Sequence, residues 1–448
     1  MQKLPMPFQH AGAGFVALLA LLLFLALPAH AGVNIQEVRS EKGITAWLVE
    51  DYTVPIVTLR FAFEGGSTQD PTGKEGLANL MSGLFDEGAG EFDSNAFQEK
   101  LDDAGAEMRF SSGRDDIYGS MRVLAEDKDV AFELLRLAIE SPRFDPQPID
   151  RIRSQILTGI DAAERDPNEQ ARKQWMRAIY GDHPYAKPDE GTKQSLAGIT
   201  AEDLRAFHKA QFARSGLHVA VVGAIDAETL KRDLDRLFGS LPEKQQLKPV
   251  ERIDLKLGQQ LKVTYDLPQT SIQMAFPGIE RTDPDFYAAV LMNEILGGGT
   301  FTSRLFEEVR EKRGLAYSVD SVLSNRRYSS FLGISTATRS DRAAETIEVV
   351  RDVARRMAQE GPTAAELEAA RKYLIGAYAI NNLSSSGAIA STLVELQLAG
   401  LGRDYIERRP ALLEAVTVED VKRVATRLLT TEPAMMLVGP EAHKANVQ

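Results

Sequence analysis

Hydrophobic and polar positions along this chain fall into two alternating periods. Residues 44–49 and 57–63 carry β-branched and aromatic side chains in near-alternation, which predicts two strands. Residues 77–84 repeat their apolar positions at helical spacing, and the run ends near Gly88-Ala-Gly90. Residues 94–104 predict a helix with Phe97 and Leu101 on one face and Ser94 as its cap. Further helical periods mark 130–141, 148–165 and 169–180.

The pattern then returns. Ile199-Thr-Ala-Glu-Asp-Leu204 opens a helix, and the apolar strand 217–223 follows. Val416-Thr-Val-Glu-Asp-Val421 opens another, followed by the strand 434–439. In both, a Thr sits where it caps the helix with Asp three residues on. Phe61-Ala-Phe-Glu-Gly65 and Met274-Ala-Phe-Pro-Gly278 match near the start of each half. Two related domains follow from this repeat, 32–241 and 259–448, each pairing strands with amphipathic helices. The polar, proline-bearing stretch beginning at 242 and running to 258 reads as the linker.

Composition narrows the chemistry. The 448 residues include no cysteine, which removes thiol catalysis, disulfide scaffolds and cysteine metal sites. The net charge of −12 argues against a nucleic acid partner. Lys3, the apolar run 15–27 and the small-residue end Pro28-Ala-His-Ala31 read as a secretory signal, residues 1–31, cleaved after Ala31, with an uncleaved N-terminal anchor as the alternative. The run falls short of the roughly 20 residues of a comfortable span, and no later segment is long and apolar enough to cross a bilayer. The expected location is outside the cytoplasm, with the periplasm foremost. Of the six His, only His183, His208, His218 and His443 remain in the mature chain, and no pair has the spacing of a helical zinc site.

The richest stretch is 296–319. Three glycines, 297–299, form a turn, and a helix is expected from about Thr302 with Leu305, Phe306 and Val309 as its apolar stripe. The glycines lack the Gly-Lys-Ser/Thr ending of a phosphate loop. Arg310, Lys312 and Arg313 suit the negative helix end, and Gly314 terminates it. A strand, 315–319, comes next. Arg310 and Tyr317 therefore converge across the helix–strand turn. On the residues alone, Arg310 is a solvated helix end and Tyr317 an ordinary half-buried strand residue.

This stretch resembles the second domain of the pitrilysin/insulinase-type metallopeptidases, in their mitochondrial-processing-peptidase-like branch. Gly181-Asp-His-Pro-Tyr185 and Gly191-Thr192 extend the resemblance along the mature chain. It implies an α+β fold of two homologous α/β-roll domains, each a mostly antiparallel sheet flanked by helices, forming one half of a clam-like chamber. It also gives Arg310 and Tyr317 the role of hydrogen-bonding the substrate carbonyl beside the scissile bond, with Gly298 and Gly299 near the peptide.

The same resemblance exposes a gap. Active members carry H-x-x-E-H in the first domain and a distal Glu. Here Asn79 and Gly83 stand at the two His positions and Ser82 at the Glu. The distal Glu falls at Thr158-Gly159. Neutral Asn and Ser are poor zinc ligands, so no cofactor is expected in this chain. The resemblance then implies a zinc-free subunit that binds peptide and works beside a homologous, zinc-bearing partner in a heterodimer. The alternatives are a purely structural subunit, like the core subunits this family contributes to respiratory complexes, and a peptide-binding chamber acting alone.

Overall fold

The computed structural model describes residues 33–299 and 301–440. The signal segment and His443 lie outside them. Strands β1 (Gln36–Arg39), β2 (Thr45–Glu50), β3 (Ile56–Glu64), β4 (Glu107–Ser112), β5 (Asp116–Leu124) and β6 (Leu217–Gly223) form one sheet in the order β1-β2-β6-β3-β5-β4. Strands β7 (Gln260–Thr264), β8 (Gln269–Pro277), β9 (Ala316–Arg326), β10 (Ser329–Arg339) and β11 (Ala434–Gly439) form a second, ordered β7-β11-β8-β10-β9. Leaving out β1, the two orders are the same. Each sheet has one parallel pair, β2–β6 and β7–β11, and is otherwise antiparallel. The segments that match in sequence, on β3 and β8, occupy equivalent central strands.

The predicted helices form over Leu77–Ser82, Ser94–Asp103, Lys128–Glu140, Pro146–Ala163 and Pro167–Tyr180. The repeated Thr/Asp signals are capping boxes in both halves. Thr200 accepts from the Asp203 N–H while Asp203 accepts from the Thr200 N–H, and Thr417 and Asp420 do the same. One cap differs from expectation. Asp93, not Ser94, caps Ser94–Asp103 by accepting from the Ala96 N–H. The Ser94 hydroxyl donates instead to Glu87 at 2.6 Å. A carboxylate one residue earlier competes better for the orphan N–H groups.

β3 is buried on both faces, with Val57, Thr58 and Leu59 all covered. Its inner face packs on the helices of its own half. Its outer face, with that of β6, lies under the helix Ser386–Leu398 from the other half. The Gln397 side-chain amide donates to the Val219 carbonyl at 2.9 Å, and Thr58 and Ser386 share a hydroxyl contact of 3.0 Å. The exchange is reciprocal. The helix Pro167–Tyr180 of the first half packs Ala171, Trp175 and Ile179 against Ala275, Ala434, Met436 and Val438 of the second sheet. Each sheet is thus closed by a helix that the other half lends.

The tip of the β9–β10 hairpin crosses the same seam. Arg327 donates to Glu64 at 2.7 Å and to Asp116 at 2.9 Å. Burial pushes the Asp116 carboxyl up to about 6. The Tyr185 hydroxyl donates to Asp115 and accepts from the Tyr328 N–H. His183 and Tyr185 of the Gly181–Tyr185 segment therefore serve the seam. His183 accepts from the Tyr185 N–H through Nδ1, and its Nε2 lies 3.0 Å from the Glu251 carbonyl.

His208 is packed against Phe85, Phe144 and Phe212, with Nε2 2.7 Å from the Ile139 carbonyl. Burial pushes its pKa below the ordinary 6.5. The folded state holds the ring neutral while the unfolded chain takes the proton more readily. Stability is therefore expected to fall as pH drops through 6.5 and to level off below the folded value. Urea midpoints at pH 7.5 and 5.5 should separate less in His208→Asn than in the parent. An equal separation would remove His208 as the cause.

Candidate functional site

The helix Leu77–Ser82, with Gly83 as its C-terminal cap, spans the positions of the zinc motif and is entered from Gly76, whose φ of 92° is left-handed. A Cβ there would lie 2.7 Å from the Glu190 carbonyl oxygen, so Gly76 and Gly191 let two backbones meet. That close approach accounts for the glycine in Gly191-Thr192. Asp70 caps the helix from a distance, accepting from the Gly76 N–H at 2.8 Å and the Ala78 N–H at 2.9 Å.

On this scaffold the motif positions offer little to a metal. The Ser82 hydroxyl donates to the Asn79 carbonyl at 2.8 Å. Gly83 brings no side chain, and a Cβ built on it would meet Ile152 Cγ2 at 3.0 Å. Thr158 and Gly159 are exposed on the helix Pro146–Ala163, and the Thr158 hydroxyl donates to the Ser154 carbonyl. Among the described residues, no three His, Asp or Glu side chains gather as a metal would require. An amide, a hydroxyl and two glycines do not fit a zinc ion.

Arg310 and Tyr317 do converge. The helix Phe286–Asn293 runs on as a π-helical turn over Glu294–Gly298, so the glycines continue a helix before the chain turns at Gly299. Helical structure resumes at Arg304 rather than Thr302, and Phe306–Glu311 is again π-helical. Leu305, Phe306 and Val309 are buried, as their spacing predicts. Gly314, at a φ of 58°, turns the chain into β9.

The Arg310 guanidinium lies over the Phe306 ring at 4.8 Å and over the Tyr317 ring at 4.6 Å. Its nearest carboxylate, Glu311, is 3.8 Å away. Two rings anchor the guanidinium, and its pairing with Glu311 is too long to be a hydrogen bond. Tyr317 is 82% exposed rather than half-buried, because it stands at the start of an edge strand. Gly298 is exposed and Gly299 buried. A Cβ on Gly299 would crowd Thr302 Oγ1 at 3.0 Å and Glu294 Oε1 at 3.1 Å.

Two residues here escaped the sequence pattern. Glu294 is half-buried beneath the glycine turn, and burial pushes its carboxyl pKa up. Phe301 is 72% exposed and packs edge-to-face on Phe306, with centroids 5.3 Å apart. A large ring among glycines and threonines is the signal that marks it.

Residues 46–193 match the family model for insulinase (peptidase family M16), and 198–374 match the model for the peptidase M16 inactive domain. The chain belongs to peptidase family M16, the insulinase- or pitrilysin-like proteins. An uncharacterised zinc protease of Streptomyces coelicolor is 27% identical over 382 residues, 84% of this chain and 83% of that protein. A non-peptidase homolog of Helicobacter pylori is 26% identical over 381 residues, 84% of this chain and 87% of its own length. The crystal structure of a peptidase M16 inactive domain from Pseudomonas fluorescens superposes with a TM-score of 0.85 at 29% identity. It covers 91% of this chain and 99% of that one.

Proposed function

We propose that this chain is the zinc-free subunit of an exported, periplasmic heterodimeric metallopeptidase. It forms one half of a clam-like chamber, and a homologous subunit supplies the zinc and its bound water. The observation that carries this reading is the pair Arg310 and Tyr317. Tyr317 is exposed, and the guanidinium rests on two rings with a single long ion pair, to Glu311 at 3.8 Å. On the same chain, the metal positions Asn79, Ser82, Gly83 and Gly159 hold no ligand set.

In this role an extended peptide enters the chamber with one carbonyl directed at the Arg310 edge and the Tyr317 hydroxyl. Negative charge develops on that oxygen as the peptide bond is attacked, and both donors strengthen their hydrogen bonds to it. The bare backbone at Gly298 lets the peptide main chain lie close. Activity then requires assembly, because the donors and the metal belong to different chains.

The test is zinc stoichiometry and reconstitution. The purified mature chain, dialysed after incubation with excess zinc, is expected to retain close to no zinc and to cleave no peptide. A complex recovered from the producing cells through a tag on this chain should contain a homologous zinc protein and be active. One zinc per chain in the isolated protein would overturn the reading. A recovered complex that ignores loss of both Arg310 and Tyr317 would favour a structural subunit instead.

A further inference from the structure

Phe301 puts a large apolar ring into water on a turn built otherwise of glycine and small hydroxyl residues. The ring is held in place. It stands edge-to-face on Phe306, at an interplanar angle of 86°. Phe306 carries the Arg310 guanidinium, which also lies on Tyr317. The four side chains touch in succession, Phe301 on Phe306, Phe306 under Arg310 and Arg310 over Tyr317. Phe301 and Tyr317 keep much of their surface open at the two ends, at 72% and 82% exposure.

The spacing suits a peptide. From Phe301 to the guanidinium are two steps, 5.3 Å to Phe306 and 4.8 Å onward. An extended chain advances about 3.3 Å per residue, so three residues at most span those steps. A peptide whose carbonyl rests on Arg310 and Tyr317 thus brings a nearby side chain to the free face of Phe301. An aromatic or long aliphatic side chain would stack there and shed water from both surfaces. A charged one would be desolvated without a partner.

We propose that Phe301 is a specificity-determining residue, which selects an aromatic or large aliphatic side chain within three residues of the carbonyl that Arg310 and Tyr317 hold. The proposal rests on the peptide-cleaving reading above.

The experiment uses the complex purified through a tag on the full chain, and two peptides that differ only by Phe or Ser near the cleaved bond. The unaltered complex is expected to cleave the Phe peptide with about tenfold higher kcat/KM, the order one apolar contact supplies. Phe301→Ala should erase that preference by lowering kcat/KM for the Phe peptide to that of the Ser peptide, and Phe301→Leu should restore most of it. Arg310→Ala should slow both peptides alike. If Phe301→Ala slows both equally, slows neither, or releases the partner, while Arg310→Ala still slows both, the specificity role is overturned and the site reading stands. If neither substitution changes either rate, the site reading fails and the specificity role with it.

Discussion

Replacing Arg310 by Ala in the assembled complex is expected to lower kcat/KM by about 10²–10³, the loss seen when one donor to a developing oxyanion is removed. In the proposed role the guanidinium would meet that oxygen from its seat on the Phe306 and Tyr317 rings. Lysine keeps the charge but neither stacks flat nor offers a fork of donors, so Arg310→Lys should recover little. Tyr317→Phe isolates the hydroxyl, since the ring that supports Arg310 stays. A fall in kcat/KM of about 10² is expected there too. Tyr317 is exposed, so neither thermal stability nor recovery of the partner should change. Steady-state kinetics on one peptide, with the melting temperature as control, checks both variants. Unchanged kinetics in both would leave the pair without a catalytic part.

The second large effect concerns the core of the first sheet. Phe61 is fully buried, with its ring 5.9, 5.7 and 5.5 Å from those of Phe63, Phe110 and Phe238. Across the β3–β5 ladder it faces Gly119, and a Cβ on that glycine would run into the ring. Phe61→Ala is expected to cost about 3–5 kcal/mol. Gly119→Ala forces the ring out of a packed site and should cost about 1–3 kcal/mol. The double variant should cost less than the two together, because the new methyl enters space the ring has left. A coupling of about 0.5–3 kcal/mol is expected from a urea double-mutant cycle. Strict additivity would show that the glycine does not make room for the ring.

Much of this architecture was legible in the chain. The Thr200 and Thr417 caps lie in local sequence, and both become capping boxes. The convergence of Arg310 and Tyr317 also follows from local rules, since Gly314 reverses the chain between them. What stayed hidden depends on distant partners. Helical periodicity shows that residues 169–180 have an apolar face, but not that the face belongs to the other sheet. Arg327 reads as a hairpin-tip charge, and its two carboxylates lie more than two hundred residues away. Gly297 and Gly298 read as a turn from their residue type, yet they continue a helix as a π-helical turn, which residue type alone does not signal. Phe301 carries no periodic signal, because a single aromatic has no period at all.

The exchanged covering helices carry a consequence for how this protein is made. As the chain emerges N-terminus first into the compartment where it folds, the outer face of β3 and β6 waits bare until residues 386–398 have followed. For over a hundred and fifty residues the first half is an unfinished product that displays a sticky sheet. A gene cut at the linker should therefore yield two insoluble proteins, yet the two expressed together should rescue each other. The same geometry makes each half the template on which the other is completed, so neither sheet is finished before both are present.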